Sequence, residues 1–481
     1  MGRQVTQINL TPDFCVIGAG SGGLSFAAGA AQMGASVVLL ESKKMGGDCL
    51  NYGCVPSKAL IAAAKSGFEA RRAKGFGWAF SDVSVDYKKV HEHIHDVIKA
   101  IAPNDSVERF EKLGVKVILE QGRFVDSETV VTKTHRIQAK RFIIATGSIP
   151  FVPPIDGLSE TPYLTNETIF DLTELPYHLV VIGGGPIGIE IAQAFKRLGS
   201  HVTVLEAFTI LPKDDPDLTL RLKETLSQEG VELCENVKIS SVQHNNEEII
   251  INYLDDLEQT NTIVASHVMI ATGRRPNIQG LGLETAGIKF SPRGIEVSEQ
   301  LQTSNPRVYA IGDCTGGYQF THAAGYEAGL ALRNTIFGLR TKVETRTIPW
   351  VTYTDPELAH VGFLESQLQQ KNISYKVLQM SFDENDRAQA EKRTDGMIKV
   401  LVSKKGTVLG ASILGVHAGE LIYPWVMAIQ NNLKLTAITS SIAPYPTLGD
   451  LSKRIAGSFY ADKIFSPIVR RIVRFLMKWF R

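Results

Sequence analysis

The stretch "DFCVIGAGSGGLSFAAGAAQMGASVVLLE", residues 13–41, predicts the fold of the chain. An apolar run typical of a buried strand leads through glycines into an alanine-rich helix, and a second apolar run ends at Glu41. Gly18, Gly20 and Gly23 have the spacing G-x-G-x-x-G, in which a tight turn, a close approach to a pyrophosphate and helix–strand packing each exclude a side chain. We therefore expect a βαβ unit that binds a dinucleotide, with Glu41 accepting a hydrogen bond from a ribose hydroxyl.

A second copy follows in "HLVVIGGGPIGIEIAQAFKRLGSHVTVLE", residues 178–206, with Gly183, Gly185, Gly188 and Glu206 at the matching positions. In both copies the first glycine and the acid are 23 positions apart. One such pattern can be a structural turn, but two with strand, helix and acid in register predict two dinucleotide sites. The segment after Glu206, "AFTILPK", lacks an arginine for a 2′-phosphate, which favours NADH over NADPH.

Composition limits the class of protein. The 481 residues are enough for three or four domains, and 51 basic against 50 acidic residues give no overall charge that would favour nucleic acid. The first residues lack a signal-peptide pattern, and no apolar run reaches about 18 residues. Five cysteines are too few for a secreted disulfide scaffold, so we expect a cytoplasmic protein.

Two cysteines lie close together in "GGDCLNYGCVPSK", residues 46–58. On an ideal helix the Cα atoms of Cys49 and Cys54 would be roughly 8–9 Å apart, whereas a disulfide needs less than about 7 Å. A bonded pair therefore requires a distorted turn, which Asn51 and Gly53 tolerate. The alternatives are a reduced packing pair and a zinc pair, but no second pair or flanking histidine supports zinc. We favour a redox-active pair.

With these features the sequence resembles the flavoprotein disulfide reductases, the family of lipoamide dehydrogenase, glutathione reductase and mercuric reductase. The resemblance covers about residues 12–460. Its motifs, in family order, are "GAGSGG" (18–23), "GGDCLNYGCVPSK" (46–58), "ATGSIP" (145–150), "GGGPIGIE" (183–190), "ATGRRP" (271–276), "TSNPRVYAIGDC" (303–314) and "YPTLGD" (445–450).

The resemblance implies an α/β fold with two Rossmann-like dinucleotide-binding domains, for FAD and NAD(P), and an α+β interface domain that makes a homodimer. The implied segments are 1–150 for the first part of the FAD domain, 151–280 for the NAD(P) domain, 281–345 for the return to the FAD domain, 346–460 for the interface domain and 461–481 for a tail.

The resemblance also implies roles for single residues. Cys49 is expected to exchange with the substrate and Cys54 to be the charge-transfer thiolate beside the flavin, where Lys58 and Glu190 pair. No metal site is predicted. The expected cofactor-binding residues are Gly18, Gly20, Gly23, Glu41, Gly147 and Asp313 for FAD, and Gly183, Gly185, Gly188, Glu206 and Gly273 for NAD.

The chain departs from the family pattern near its C-terminus. Lipoamide dehydrogenase and glutathione reductase carry a histidine followed five positions later by a glutamate, whereas this chain has Tyr445 and Asp450. A tyrosine with a pKa of about 10 is an inefficient base at neutral pH. Mercuric reductase is similar in carrying a tyrosine near this position, and "ENDRAQ" and "HAGELI" also suit that branch. Its C-terminal cysteine pair is missing, since the last cysteine is Cys314.

We therefore predict an enzyme that passes electrons from NADH through FAD and the Cys49–Cys54 disulfide to a disulfide, a polysulfide or a thiophilic metal, as in mercuric reductase. One alternative is a membrane-surface NADH:quinone or other electron-transfer flavoprotein, and another is a dihydrolipoamide dehydrogenase. A third, non-enzymatic alternative is a redox-sensing scaffold.

The tail "SPIVRRIVRFLMKWFR", residues 466–481, predicts a basic amphipathic helix that begins with Ser466 as N-cap and Pro467 in the first turn. Such a helix can lie on an anionic bilayer, which predicts peripheral attachment to the inner face of the membrane. The alternative is that its apolar face packs on the interface domain or the dimer partner. The basic stripe and the opposing apolar residues are Arg470, Arg471, Arg474, Lys478 and Arg481, and Ile468, Val469, Ile472, Phe475, Leu476 and Trp479.

Overall fold

The computed structural model describes residues 7–79, 83–246 and 248–480. These residues form two compact units. The first unit contains the described residues up to Thr209 together with Val231–Val343, and the second contains Ile210–Gly230 together with the residues from Glu344 onward. Arg481, the last residue of the predicted tail, and residues 1–6 lie outside the described part.

The strands of the described residues are, in chain order, β1 Ile8–Leu10, β2 Phe14–Ile17, β3 Val37–Leu40, β4 Val115–Ile118, β5 Arg123–Phe124, β6 Val130–Val131, β7 His135–Ile137, β8 Arg141–Ile144, β9 Ser148–Pro150, β10 Tyr163–Leu164, β11 His178–Ile182, β12 His201–Leu205, β13 Glu232–Cys234, β14 Lys238–Asn245, β15 Glu248–Leu254, β16 Thr260–Ala265, β17 His267–Ile270, β18 Arg274–Pro276, β19 Phe290–Ser291, β20 Gly294–Ile295, β21 Val308–Ala310, β22 Trp350–Thr352, β23 Glu357–Gly362, β24 Lys376–Ser381, β25 Met397–Val402 and β26 Val408–Gly415. The helices are α1 Ser21–Gln32, α2 Gly47–Asn51, α3 Cys54–Arg72, α4 Tyr87–Ile101, α5 Val107–Lys112, α6 Pro186–Leu198, α7 Pro216–Gln228, α8 Thr321–Ile336, α9 Glu365–Gln370, α10 Asp386–Ala390, α11 Ala418–Leu421, α12 Tyr423–Gln430, α13 Leu435–Thr439, α14 Asp450–Ile464 and α15 Pro467–Trp479.

The first unit is built around a parallel sheet with the strand order β21-β8-β2-β3-β4. Phe14 at the start of β2 pairs in parallel with Val37 of β3 and with Arg141 of β8. All residues of β2 and β3 are buried because helices cover one face of the sheet and other apolar segments cover the second. The predicted βαβ unit is therefore present as β2, α1 and β3.

A second parallel sheet in the same unit has the strand order β10-β17-β11-β12-β13. Its β11, α6 and β12 repeat the arrangement of β2, α1 and β3, with His178 paired to His201. Smaller antiparallel groups complete the unit, among them the three-stranded sheet β14-β15-β16. The predicted α/β class with two Rossmann-like halves is confirmed.

A two-stranded antiparallel pair, β9 with β18, marks where the second sheet is inserted into the first. The chain leaves the first sheet after β8 and enters β9, and it leaves the second sheet after β17 and enters β18. Ser148 pairs with Pro276, and Pro150 pairs with Arg274. The residues that directly follow the two "ATG" segments therefore pair with each other, while the segments themselves lie at opposite ends of the pair. Strand β21 later returns to the edge of the first sheet beside β8.

The second unit contains an antiparallel sheet of order β22-β23-β26-β25-β24. Its core includes the fully buried Trp425 of α12, whose indole N–H donates to Ser452 Oγ of α14 at 3.2 Å. The segment around α7 is joined to this sheet by ion pairs. The buried Lys399 of β25 contacts carboxylates at the start of α7 and one carboxylate of α9. Its Nζ lies 2.9 Å from Asp215, 2.7 Å from Asp217 and 2.6 Å from Glu365.

Replacing Lys399 by methionine removes the cation that these carboxylates share. Because the buried Asp215 carboxylate would be left without its counter-charge, we expect the second unit to lose about 3 kcal/mol of stability. This corresponds to a fall of roughly 6–12 °C in the thermal midpoint of that unit, which calorimetry measures. Lys404→Met, in the exposed turn between β25 and β26, is the matched control and should shift the midpoint little. Equal midpoints for the two variants would contradict the role of Lys399.

Candidate active site

The first glycine turn, between β2 and α1, shows a separate reason for each of its three glycines. Gly18 has φ +106°, and a Cβ there would lie 2.4 Å from the carbonyl oxygen of Ala145. A Cβ on Gly23 would lie 1.9 Å from the carbonyl oxygen of Gly18. At Gly20 the nearest atom to an added Cβ is 3.9 Å away, on Gly47. Two glycines are thus required by the fold, whereas Gly20 leaves room beside the helix N-terminus.

The second glycine turn, between β11 and α6, repeats these contacts. Gly183 has φ +115°, and a Cβ there would lie 2.4 Å from the carbonyl oxygen of Ala271. A Cβ on Gly188 would lie 2.0 Å from the carbonyl oxygen of Gly183, while a Cβ on Gly185 would meet nothing within 4 Å. A middle glycine that faces open space at a helix N-terminus lets a pyrophosphate approach the backbone amides. The chain therefore has two turns that fit a dinucleotide.

The two strand-end acids brace these turns. Glu41 is buried and accepts hydrogen bonds from the backbone amide of Ala19 at 2.8 Å and from the amide two residues beyond itself at 2.6 Å. Glu206 makes the same contacts, with Gly184 at 2.6 Å and with the amide two residues beyond itself at 2.9 Å. Each carboxylate oxygen keeps a second lone pair, so bracing the turn is compatible with the predicted hydrogen bond to a ribose hydroxyl.

A solvent-open cleft runs along the carboxyl ends of the first sheet. It is bordered by residues that the sequence assigns to FAD, including Gly20, Glu41 and Asp313, and by Cys49. Gly147 also borders it, with φ +68° and no atom within 4 Å of an added Cβ. Gly273, its counterpart after β17, has φ +115° and equally open space.

Asp313 belongs to a polar chain that sequence reasoning did not find. Ser148 donates to Asp313 Oδ2 at 2.6 Å, and the guanidinium of Arg274 donates to Ser148 Oγ at 2.7 Å. Arg274 also lies 3.0 Å from Asp48, and Asn166 donates to Asp48 at 3.1 Å. Burial raises the pKa of Asp313, and the hydrogen bond from Ser148 opposes this effect. The chain of contacts joins the predicted FAD acid to the residue before Cys49.

The helix that carries the cysteines is interrupted between them, as a close pair requires. Helix α2 ends at Asn51 and α3 begins at Cys54, with Gly53 at φ −121° and ψ −111°. A Cβ on Gly53 would lie 2.8 Å from a carboxylate oxygen of Asp48. The amide of Asn51 donates to the carbonyls of Met45 and Gly47, at 3.0 and 2.8 Å, and so holds the loop that precedes the pair.

The two thiols are unbonded in this structure and interact with each other. The hydrogen bond from Cys49 lowers the pKa of Cys54 to about 6 against the opposing effect of burial, and Thr321 and Lys58 lower it further. The same interaction, followed by burial, raises the pKa of Cys49. The Cys54 sulfur lies 3.3 Å from Thr321 Oγ1. The negative charge of the pair therefore resides on Cys54, at the N-terminus of α3, where the helix dipole also favours it.

Lys58 and Glu190, which the sequence predicts as a pair, are in contact. Lys58 Nζ donates to Glu190 Oε2 at 2.7 Å, and the Glu190 side chain is only 7 % exposed. Because Lys58 lies one turn beyond Cys54 on α3 and Glu190 lies on α6, the ion pair links the cysteine helix to the second glycine turn.

A second cleft adjoins Cys49 and is largely apolar. Its volume is about 780 Å³, and a polar edge is formed by Asp105 and Arg109. Burial raises the pKa of Asp105, and Arg109 opposes this effect. Cys49 thus borders both clefts, whereas Cys54 borders neither. The apolar side chains that line the second cleft include Leu24, Leu50, Val55, Ile101 and Phe110.

Tyr445 and Asp450 lie in the second unit. Tyr445 is 73 % exposed, and its hydroxyl donates to Asp386 Oδ2 at 2.7 Å. This hydrogen bond and the charge of Asp386 raise the pKa of Tyr445. Asp450 is the first residue of α14. A tyrosine with a raised pKa is ionised even less at neutral pH than an ordinary one, so less of it is available as a general base.

Comparison with known proteins identifies the family. The description "Pyridine nucleotide-disulphide oxidoreductase" fits residues 12–328, and the dimerisation domain of the same family fits residues 348–454. The chain is 34 % identical to mercuric reductase from Staphylococcus aureus over 94 % of this chain and 83 % of that one. It is 38 % identical to dihydrolipoyl dehydrogenase from Geobacillus stearothermophilus over 92 % of this chain and 94 % of that one.

A solved structure with a similar fold is the Cu(II) complex of the HOCl-induced flavoprotein disulfide reductase RclA from Escherichia coli. It has a TM-score of 0.82 and 26 % sequence identity, and the match covers 92 % of this chain and 99 % of that one. The chain therefore belongs to the class I pyridine nucleotide-disulfide oxidoreductases, as its motifs predicted, and it is an oxidoreductase. The family is FAD-dependent and uses a pyridine nucleotide, and the dimerisation domain supports a homodimer.

Some residues of this site were not predicted from the sequence, and the sequence signals for them differ in strength. Ser148 and Arg274 each directly follow the glycine of an "ATG" repeat. This repeat is the sequence signal from which the two residues could have been predicted. Asp48 lies inside the cysteine motif. Thr321 carries no motif and becomes visible only because α8 brings it to the sulfur of Cys54.

Gly185→Ala should impair nicotinamide-dinucleotide binding without harming the fold. A methyl group fits in the protein here but occupies the space that a pyrophosphate needs, so we expect the KM for NADH to rise at least about tenfold with FAD content unchanged. Gly188→Ala is the informative comparison, because its Cβ would meet a backbone carbonyl and should destabilise the protein. An unchanged KM in Gly185→Ala would exclude this turn as the NADH site.

The thiolate should reside on Cys54 at neutral pH. In the reduced protein, mass-spectrometric iodoacetamide labelling of Cys54 should be half-maximal near pH 6, because its depressed pKa keeps it ionised above that value and protonated below it. Labelling of Cys49 should require a much higher pH.

Thr321→Val should raise the pH midpoint of Cys54 labelling by about one unit, the equivalent of a lost hydrogen bond.

Thr335→Val, a buried threonine on the same helix, is the control for that substitution and should leave the midpoint in place. A Cys54 midpoint near pH 9 in the wild-type protein would contradict the assignment of the thiolate.

Proposed function

We propose that the protein transfers two electrons from NADH, through FAD and the Cys49–Cys54 pair, to a thiophilic metal ion, with disulfides and polysulfides as the competing acceptors. The observation that carries the proposal is the thiol pair itself, with an ionised Cys54 and with Cys49 bordering both the cofactor cleft and a second cleft. FAD, when bound, supplies the two-electron relay between NADH and the cysteines.

The residues of the first cleft fit FAD. The open side of Gly20 would receive the pyrophosphate, and Glu41 would accept a hydrogen bond from the ribose while it braces the turn. Asp313, held by Ser148, would accept hydrogen bonds from hydroxyls of the ribityl chain. The polar chain through Arg274 ties this acid to the helix that carries the cysteines.

The cysteine pair gives up two electrons when its two sulfurs form the disulfide. One Hg(II) accepts both electrons, or two Cu(II) accept one each, and any thiol proton leaves to solvent. A disulfide acceptor instead becomes two thiols and needs a proton for each leaving sulfur. Cys49 is placed to meet the acceptor, because it lines the second cleft while Cys54 holds the negative charge.

A metal ion is favoured over a disulfide by the state of Tyr445. Disulfide exchange needs an acid that protonates the leaving thiolate, and a tyrosine whose pKa is raised by Asp386 is a poor proton donor at neutral pH. Reduction of a metal ion needs no such acid. The mercuric reductases among the relatives and the Cu(II) complex of RclA agree with a soft-metal acceptor.

We infer that the reductant is NADH rather than NADPH. Glu206 presents a carboxylate at the end of β12, where a 2′-phosphate would be repelled, and the segment after it contains no arginine.

We also infer that the protein works at a membrane surface, where its C-terminal helix α15 attaches it. The helix carries basic and apolar side chains on separate arcs, and none of its residues is buried. This attachment is independent of which acceptor the cysteines serve.

The first test is an anaerobic NADH titration of the purified holoenzyme, followed by visible absorbance. One equivalent of NADH should produce a broad long-wavelength band, the signature of charge transfer from a Cys54 thiolate to oxidised FAD. Cys54→Ser should lack this band. Direct bleaching that is identical in the two proteins would place the cysteines off the electron path and would favour a quinone acceptor instead.

Acceptor assays then separate metal from disulfide. We expect NADH oxidation with Hg(II) or Cu(II) in the presence of excess thiol, and its loss by at least about 100-fold in Cys49→Ser. Glutathione disulfide and lipoamide should be poor acceptors. Rapid turnover with lipoamide would contradict the metal assignment and would identify a dihydrolipoamide dehydrogenase activity that does not need a histidine at position 445.

A further inference from the structure

The C-terminal helix α15 is short and well capped. Ser466 caps it by accepting a hydrogen bond from the amide of Val469 at 3.4 Å, and Pro467 occupies the first turn. The helix extends over Pro467–Trp479, a length of roughly 20 Å, whereas a membrane-spanning helix needs about 20 apolar residues. Among the described residues, no helix is both long and apolar enough to cross a bilayer. A helix of this length does not reach across the hydrocarbon core of a bilayer.

Its side chains separate into two arcs. At about 100° per residue, the four basic side chains fall within an arc of roughly 100°, and apolar side chains occupy most of the remaining circle. No acidic residue occurs from position 464 to the end of the chain. The basic side chains of the described helix are Arg470, Arg471, Arg474 and Lys478, and the apolar ones are Ile468, Val469, Ile472, Val473, Phe475, Leu476, Met477 and Trp479.

The apolar arc does not pack on the chain that carries it. None of the α15 residues is buried, and Phe475 and Trp479 are 60 % and 76 % exposed. By contrast, the preceding helix α14 buries Leu451, Ile455 and other side chains in the core of the second unit. A contiguous exposed apolar surface of this kind indicates a binding partner.

The charge pattern specifies an anionic bilayer as that partner. A basic arc beside a wide apolar arc matches lipid phosphates above acyl chains, and long arginine side chains can extend to the headgroups while their stems stay apolar. The aromatic side chains of Phe475 and Trp479 suit the interface between headgroups and hydrocarbon. Protein interfaces are also enriched in aromatic residues and arginine, so a second copy of this chain is the alternative partner that the test below separates.

We propose that residues 466–480 form an in-plane anchor that binds anionic lipid bilayers reversibly, with the apolar arc inserted and the basic arc among the headgroups. The inference deepens the membrane location proposed above and does not depend on the acceptor. Attraction to anionic lipid contributes about fivefold in affinity for each basic side chain near the surface, and this contribution falls as salt screens it.

The test is flotation of the full-length holoenzyme with vesicles of phosphatidylcholine containing about one-third phosphatidylglycerol, compared with pure phosphatidylcholine vesicles. The wild type should float with the anionic vesicles at low salt and dissociate largely at 0.5 M salt. Arg471→Glu with Arg474→Glu should weaken binding at least about 30-fold, because two attractive charges become repulsive. The matched control is Lys404→Glu with Lys405→Glu, an equal charge change in an exposed turn of the same unit, which should float as the wild type does.

A second variant tests the apolar arc. Phe475→Ala with Trp479→Ala keeps every charge and should also abolish flotation, because the buried aromatic area is lost. Sedimentation of all variants shows whether the helix serves the dimer instead. Failure of the wild type to float, together with a weaker dimer in the arginine or aromatic variants, would overturn the proposal and assign the helix to the partner subunit. A loss of flotation in the control equal to that in the arginine variant would overturn it as well.

NADH-dependent turnover, measured on the same samples without vesicles, keeps this outcome separate from the proposed acceptor chemistry. The arginine variants should retain the turnover of the wild type. A protein that floats but does not reduce metal ions would contradict the proposed acceptor and support the membrane anchor. A protein that reduces metal ions but does not float would support the acceptor and contradict the anchor.

Discussion

The contact of Gly23 with the carbonyl of Gly18 is the constraint on which the rest of the first unit depends. Because an added Cβ would lie 1.9 Å from that carbonyl, helix α1 can rest directly on the end of β2, and its N-terminal amides open toward the cleft. The repeat at Gly188 places α6 on β11 in the same way. Each strand-end glutamate then ties the finished turn to the neighbouring strand through two backbone amides.

The cysteine helix is positioned from this turn. Gly47, with φ +60°, packs so closely that its Cβ would lie 2.7 Å from the Cα of Gly20, which places α2 against the first dinucleotide turn. The break before Cys54 brings the two thiols together, and Asp48 connects this segment through Arg274 to the antiparallel pair of β9 and β18. The first cleft, the inserted second sheet and the cysteine pair are therefore held by one continuous set of contacts within the first unit.

The surroundings of the two cysteines give their thiols different pKa values. Cys54 is surrounded by a thiol donor, a hydroxyl and a lysine, all of which favour the thiolate, whereas burial and the neighbouring thiolate keep Cys49 protonated. Tyr445 is affected in the opposite sense, because Asp386 makes its phenol harder to ionise. At neutral pH the Cys54 thiol is therefore largely ionised, whereas the Tyr445 phenol is not.

Much of this could be predicted from the sequence, because the deciding features are local. The spacing of the glycines in each turn, the acid at the end of the next strand, the two cysteines around a broken turn and the amphipathic period of the tail each lie within a few dozen residues. The confirmed fold class and family follow from such patterns.

The tertiary structure alone determines the contacts between residues that are far apart in the sequence. Ser148 meets Asp313, Arg274 meets Asp48 and Thr321 meets Cys54 over separations of more than a hundred residues, and no local periodicity encodes them. Which thiol holds the charge likewise depends on groups delivered by distant elements, because a pKa is set by the neighbours in space and not by those in sequence.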